Sequence, residues 1–252
     1  MKLFILLILF IPLLALSQNK KTYPKLKKIN WTGKKLDVKQ NSLLKKSIIP
    51  LSLCATGLIL NQSPLKNNMQ KSILKPFNGY HTKLDDYIQY APIVELYTFD
   101  LLKIPARNSV WNQTKFLVIS ELTTAGIIHL LKNTTKIKRP DGSSNNSFAS
   151  GHTGQAFVTS QVLFNEYFRT KPLIGLSGYL FSVSTGALRV TNNRHWVPDV
   201  VMGAGVAILI TNLVYHFEPL KNWNPWRKNN INTSFTPVLQ PDLYGFNFKM
   251  NW

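Results

Sequence analysis

Cysteine is almost missing from this chain. Cys54 stands alone among 252 residues, which excludes an intramolecular disulfide and any thiolate metal cluster. It lies in an apolar run and suits a small buried side chain. Acid is scarce too: eleven Asp and Glu face thirty Lys and Arg, a formal charge of +19. Such a field favours anionic partners, whether nucleic acid, an anionic membrane face or a phosphorylated substrate. Charge of either sign makes up only 16% of the chain and apolar residues 44%, which excludes wholesale disorder. There is no His-Glu-x-x-His and no paired Cys, so no metal-ligand motif is written in the sequence. Internal repeats and low-complexity tracts are also lacking. Long uncharged apolar runs are few. A spanning helix needs about 20 predominantly apolar residues, and the best runs, 172–188 and 200–215, are 17 and 16 residues without charge. Those lengths fit core helices of a compact bundle or a shallow membrane bundle, and leave both open.

What is present falls into four stretches. Residues 1–17 carry one Lys before an apolar run and end Ala15-Leu16-Ser17, the form of a secretory signal cut before Gln18. The competing reading is an uncleaved anchor; either exports the remainder, to the periplasm or cell envelope. Residues 18–46 hold ten Lys and one acid, Asp37. They read as a solvated basic arm, able to lie on an anionic membrane surface or simply to solubilise. No nucleic-acid partner is expected, because the run lies outside any recognition module. Residues 47–220 read as one helical domain. Segments 47–60, 85–104, 112–132, 153–169, 172–188 and 198–216 are each long enough for three to five turns, with Gly and Pro mostly at their ends. Residues 221–252 form a tail. There Phe246, Phe248, Met250 and Trp252 alternate with polar residues and Pro241-Asp242 supplies a turn, a pattern for a β-hairpin packed on the helices. The expected fold is therefore all-α, a bundle of about six core helices with a small C-terminal β-hairpin.

Three polar clusters break the apolar texture. Lys132 and Arg139 are seven apart, nearly two helical turns, with Pro140 marking the helix end at Arg139. Two cations on one face can clamp an oxyanion, although in so basic a chain such pairs are usually solvated. Ser150-Gly151-His152 follows a polar loop and opens a helical segment, where backbone N–H groups and a hydroxyl can meet an anion. An ordinary N-cap beside an incidental His explains the same residues. Arg189 precedes His195 across a polar linker, and Asp199 lies four residues beyond His195, near enough to fix an imidazole tautomer. An ion pair at a helix start is the simpler account.

Taken in order, Lys132 and Arg139-Pro140, then Ser150-Gly151-His152, then Arg189, His195 and Asp199 resemble the type 2 phosphatidic acid phosphatase (PAP2) superfamily. That superfamily includes lipid phosphatases, bacterial acid phosphatases and vanadium haloperoxidases. The resemblance covers roughly residues 80–217 and extends weakly to the Asp85–Pro92 run. It implies a PAP2-like bundle that hydrolyses phosphomonoesters or pyrophosphates, with no cofactor and no metal. His195 would be the nucleophile, Asp199 its orienting carboxylate and His152 the leaving-group acid. Lys132, Arg139 and Arg189 would bind the phosphoryl oxygens, with Ser150 and Gly151 completing the cradle. Two positions depart from the family pattern: Ala149 replaces the usual Pro, and Leu188 the usual Ser. Neither makes or breaks a bond, so altered affinity is expected. The apolar helices and basic arm favour a lipid-linked phosphate. A soluble periplasmic acid phosphatase, a vanadium-dependent haloperoxidase and a non-catalytic envelope protein are the alternatives.

Overall fold

Eight α-helices account for most of the described chain. The structure is a computed structural model that describes residues 43–77, 80–223, 232–240 and 243–251. The helices are α1 (Leu43–Gln62), α2 (Leu65–Leu74), α3 (Leu84–Ile88), α4 (Ala91–Leu101), α5 (Val110–Thr135), α6 (Gly151–Tyr167), α7 (Pro172–Thr191) and α8 (Val197–Phe217). All six helical segments expected from the sequence are present, although 85–104 is divided between α3 and α4. The polar α2 was not foreseen. The expected signal and basic arm lie outside the described residues, except that residues 43–46 already belong to α1.

Local chemistry sets the helix ends. Ser109 caps α5 by accepting from Asn112 N–H, and Ser150 caps α6 by accepting from Thr153 N–H. Pro172 and Pro198 sit in the first turns of α7 and α8, where a missing N–H costs nothing. α5 stops at Thr135 because Lys136 turns left-handed (φ 47°).

α8 is the axial helix and packs against α1, α5 and α6, while α6 also packs on α7. Phe116, Val158, Val162, Leu163, Tyr167 and Tyr215 form the main core. Small residues let α1 approach α8: a Cβ on Gly57 would stand 3.0 Å from the Met202 backbone nitrogen, and one on Gly205 2.9 Å from that of Cys54. Cys54 itself is free and half-buried in this crossing.

The bundle has two polar ends. At one, the C-termini of α5 and α7 meet the N-termini of α6 and α8. At the other, Glu166 accepts from Asn108 N–H (2.7 Å), Asn108 Nδ2 (2.8 Å) and Tyr215 O–H (2.6 Å). Beside it, Asp100 accepts from Tyr167 O–H (3.0 Å) and from Gln113 Nε2. Burial pushes the Asp100 carboxyl up to about 7 and raises Glu166 as well.

Four helices, α1, α5, α7 and α8, are long and apolar enough to cross a membrane. The exposed faces of α1, α5 and α7 include Leu44, Ile48, Ile59, Leu122, Leu173 and Leu180, all more than 60% accessible, while α8 is largely enclosed. Outward aliphatic side chains on helices of 20 to 26 residues mark the protein as membrane-associated. The charge-free runs counted in the sequence fall short of these spans because the helices continue through charged or polar residues at the run ends, Arg189 in α7 and Asp199 and His216 in α8.

The tail folds as a separate unit from Leu220 onward. Its backbone forms strands β1 (Asn232–Gln240) and β2 (Leu243–Asn251), paired antiparallel from Asn232↔Asn251 to Gln240↔Leu243. This is the expected hairpin. Trp252 and the 241–242 turn lie outside the described residues.

Candidate active site

His195 occupies the short loop between α7 and α8 and is 1% exposed. Its backbone N–H donates to the Arg189 carbonyl at 3.2 Å, which folds the loop back on the end of α7. Gln70 on α2 braces the same loop, donating from Nε2 to the Val190 carbonyl and Asn193 Oδ1. The imidazole Nδ1–H donates to Asp199 Oδ2 at 3.2 Å. That carboxylate oxygen also accepts from Trp196 N–H (3.0 Å), as part of the α8 cap, and from the Ser147 hydroxyl. With Nδ1 committed as a donor, Nε2 keeps its lone pair. Burial lowers the imidazole to about 4; Asp199 opposes that shift, and Lys132 and Arg189 add to it. The ring is neutral at physiological pH.

Three cations converge beside it. Lys132, in the last turn of α5, donates from Nζ to the Asn146 carbonyl at 2.5 Å. Arg139 donates from Nε to Asn146 Oδ1 at 3.1 Å. Arg189, in the last turn of α7, is buried; its Nη1 meets Asp85 Oδ2 at 2.6 Å and Asp86 Oδ1 at 3.8 Å, while its Nε has no partner among the described residues. Burial first, then the neighbouring Arg189 charge, lowers the Arg139 guanidinium. The cations are close enough to repel one another, so negative charge among them is favoured.

His152 stands in the first turn of α6. Its Nε2 lies 2.9 Å from Asp86 Oδ1. Burial and then Arg189 lower this imidazole, and the Asp86 hydrogen bond and charge work against them.

Two sequence expectations need correcting. Arg139 is not on the helix of Lys132: the left-handed Lys136 ends α5 before it, so the loop, and not a helical face, carries Arg139 inward. Ser150 is fully buried. Its N–H donates to the Asp199 carbonyl (3.0 Å) and its Oγ accepts from Thr153 O–H (2.9 Å), so it joins two helix starts and does not open into a cradle. Gly151 is the open one, with no atom within 4 Å of where a Cβ would stand. Of the two departures, Ala149 is wholly buried among Phe148, Met202 and Val206, and Leu188 is half-buried.

Sequence reasoning assigned no role here to Asp85, Asp86, Asn146 or Ser147. Asp85 is the firmest anchor, holding Arg189 and accepting from Asn192 Nδ2 at 3.0 Å. The only hint was the weak Asp85–Pro92 likeness. A cleft of about 380 Å³ leads away between α5 and α6, past Lys132, His152, Tyr90, Glu121 and Gln155.

Residues 114–223 match the sequence profile of the PAP2 superfamily. Over 145 residues, 56% of this chain, it is 35% identical to a lipid A 1-phosphatase of Porphyromonas gingivalis, and the match spans about a third (32%) of that protein. Two crystal structures are similar in outline. Aquifex aeolicus LpxE is 20% identical with a TM-score of 0.47, covering 62% of this chain and 97% of the other. A transmembrane PAP2-type phosphatidylglycerolphosphate phosphatase from Bacillus subtilis is 22% identical with a TM-score of 0.45, covering 71% and 99%.

Proposed function

We propose, from the match of residues 114–223 to the PAP2 superfamily, that the chain is a phosphatase acting on lipid-linked phosphomonoesters or pyrophosphates through a phosphohistidine. The observation that carries this reading is the neutral, tautomer-fixed His195 beside three mutually repelling cations. Such a set has a nucleophile and a cluster of cations suited to negative charge.

The chemistry follows from those positions. Lys132, Arg139 and Arg189 bind the non-bridging phosphoryl oxygens. At about 4 Å and an effective dielectric of about 20, each unit-charge pair contributes on the order of 4 kcal/mol, so three cations dominate positioning and transition-state stabilisation. The His195 Nε2 lone pair attacks phosphorus as the bond to the leaving oxygen breaks. Asp199 stabilises the positive charge that develops on the ring. His152 gives its proton to the leaving oxygen. Water then attacks the phosphohistidine, His152 takes the water proton, the P–N bond breaks, and inorganic phosphate departs. Gly151 lets the phosphoryl group approach the α6 N-terminus, whose unpaired N–H groups face negative charge. Ser150 positions that terminus. Asp86 orients His152 and favours its charged form.

The lipid-linked substrate is supported by the outward aliphatic faces of α1, α5 and α7, and the name of the P. gingivalis relative adds lipid A phosphate to the candidates. We place the protein in the cell envelope, exported through residues 1–17, with the basic arm against an anionic membrane surface.

The test is phosphate release by the full chain in detergent with EDTA present, on p-nitrophenyl phosphate, phosphatidate, undecaprenyl pyrophosphate and lipid A, with His195→Ala as control. Release from a lipid substrate that vanishes in the variant supports the proposal. Faster release from p-nitrophenyl phosphate than from any lipid favours the soluble acid phosphatase. No release by a folded chain sinks the phosphatase reading; halide oxidation on adding vanadate would then mark the haloperoxidase, and its absence the non-catalytic protein.

A further inference from the structure

The bundle end remote from His195 has its own cationic cavity. About 600 Å³ in volume, it lies where α1 begins, just before α5 and just beyond α6, and Lys45, Lys46, Arg107 and Arg169 line it. From His152 to Phe168 is 16 residues, about 24 Å along the α6 axis, so this cavity and the phosphatase site are at opposite ends. Lys46 feels the positive charge of both Arg107 and Arg169. Arg107 is paired with Glu218 at 2.8 Å. No carboxylate is among the described residues that line the cavity, and Glu218 pairs with one of its four cations, so the positive charge is left in excess. Asn165 also lines it, and its buried Nδ2 has no acceptor among the described residues.

The wall is amphipathic. Ile49 and Phe168 continue the lining outward, and Ile49 is 67% exposed on α1, a helix long and apolar enough to cross a membrane. Polar cavity and apolar wall meet at a helix end, the level of lipid headgroups. A free anion would use only the cations. A lipid uses both parts: its phosphate among the cations, its chains along Ile49, Phe168 and the outer face of α1.

We propose that this cavity is a second, non-catalytic site, which binds the headgroup of an anionic phospholipid in the leaflet opposite the phosphatase site. Basic pockets between membrane helices are suited to such headgroups, each Lys or Arg adding attraction to anionic lipid. The site is independent of the phosphatase reading, because it shares no residue with it and performs no chemistry. Its role is to fasten the starts of α1 and α5 to the end of α6, adding to the hydrogen bonds that Glu166 accepts from Arg107 and Asn108 and that the Lys46 carbonyl accepts from Asn212.

The test is thermal unfolding of the full chain in dodecylmaltoside, with phosphatidylglycerol, phosphatidylcholine or glycerol 3-phosphate added. Phosphatidylglycerol should raise the midpoint by about 5 °C, and the other two should not. K46Q/R169Q should lose that rise, while K75Q/K83Q, which neutralises two lysines at the other end, should keep it. Arg169 is exposed and its side chain has no hydrogen bond or ion pair among the described residues, so R169Q alone serves if the double variant does not fold. Equal stabilisation by glycerol 3-phosphate would make this a soluble-anion site and overturn the lipid assignment. An undiminished phosphatidylglycerol effect in the variants, or none in the wild type, would overturn the site itself.

Discussion

Two histidine–aspartate pairs face the same cations and live in opposite surroundings. His195 and Asp199 have side chains 2% and 0% exposed; His152 and Asp86 have 32% and 51%. The His195 pair is closed, its aspartate taking three hydrogen bonds on one oxygen. The His152 pair is open, its aspartate on a five-residue helix. Burial keeps the first ring neutral above about pH 4, ready as a nucleophile, and partial exposure leaves the second able to gain and lose a proton. One residue type thus supplies both partners of a phosphoryl transfer, and solvent access makes the difference.

The comparison breaks most completely at the closed pair. His195→Gln should lower kcat on the order of 10⁴-fold or more with the fold intact, as single-turnover assays and circular dichroism would check. Asp199→Asn should cost about 10³–10⁴-fold, because the amide no longer fixes Nδ1–H as donor; retention of a tenth of the activity would show that the carboxylate is not needed.

The open pair sharpens the contrast through pH. His195 must be neutral, above about 4, and His152 protonated, below a pKa held under the ordinary 6.5. The kcat/KM profile should therefore be bell-shaped with an acidic optimum, its acid limb near about 4 and its alkaline limb below the ordinary imidazole value. Asp86→Asn removes a partner that raises His152, so the alkaline limb should move to lower pH while the acid limb stays. The loss in kcat should be about tenfold at the wild-type optimum and larger above it. Asp86→Glu should restore the limb, and an unmoved limb would remove Asp86 from the mechanism.

The smallest effect lies at the far end of the bundle. Asp100 has a folded-state pKa of about 7, above its ordinary 3.8. The folded chain therefore holds its proton where the unfolded chain has lost it, and stability falls as pH rises from about 4 to about 7, then levels off. Asp100→Asn should flatten that slope and unfold a few degrees higher than wild type at pH 8, as melting curves across pH would register.

How much of this was legible in the chain follows from distance along it. His195 and Asp199 are four apart across a helix start, and the fold brings them into contact as the spacing implies. The cations could be named for their place in a pattern, but the path of Arg139 could not. Lys136 adopts a backbone conformation that lysine seldom takes, and no nearby glycine announced it. Asp85 meets Arg189 across 104 positions and Asp86 meets His152 across 66; no local period reaches so far, so the open pair is a product of tertiary packing alone. The bundle was readable from segment length and Pro and Gly punctuation, whereas polar α2 was hidden by its Asn and Lys content.

The seam between α6 and α8 works as a gauge block. Ser150 N–H rests on the Asp199 carbonyl, and a Cβ on Gly203 would come within 2.7 Å of the Ser150 carbonyl. The separation of the two imidazoles is therefore machined into main-chain contacts, independent of the side chains around them. Surrounding charges and cleft walls can drift to suit a different phosphate while the stroke between nucleophile and acid keeps its length. A bulkier residue at position 203 would be the one change that resets the instrument.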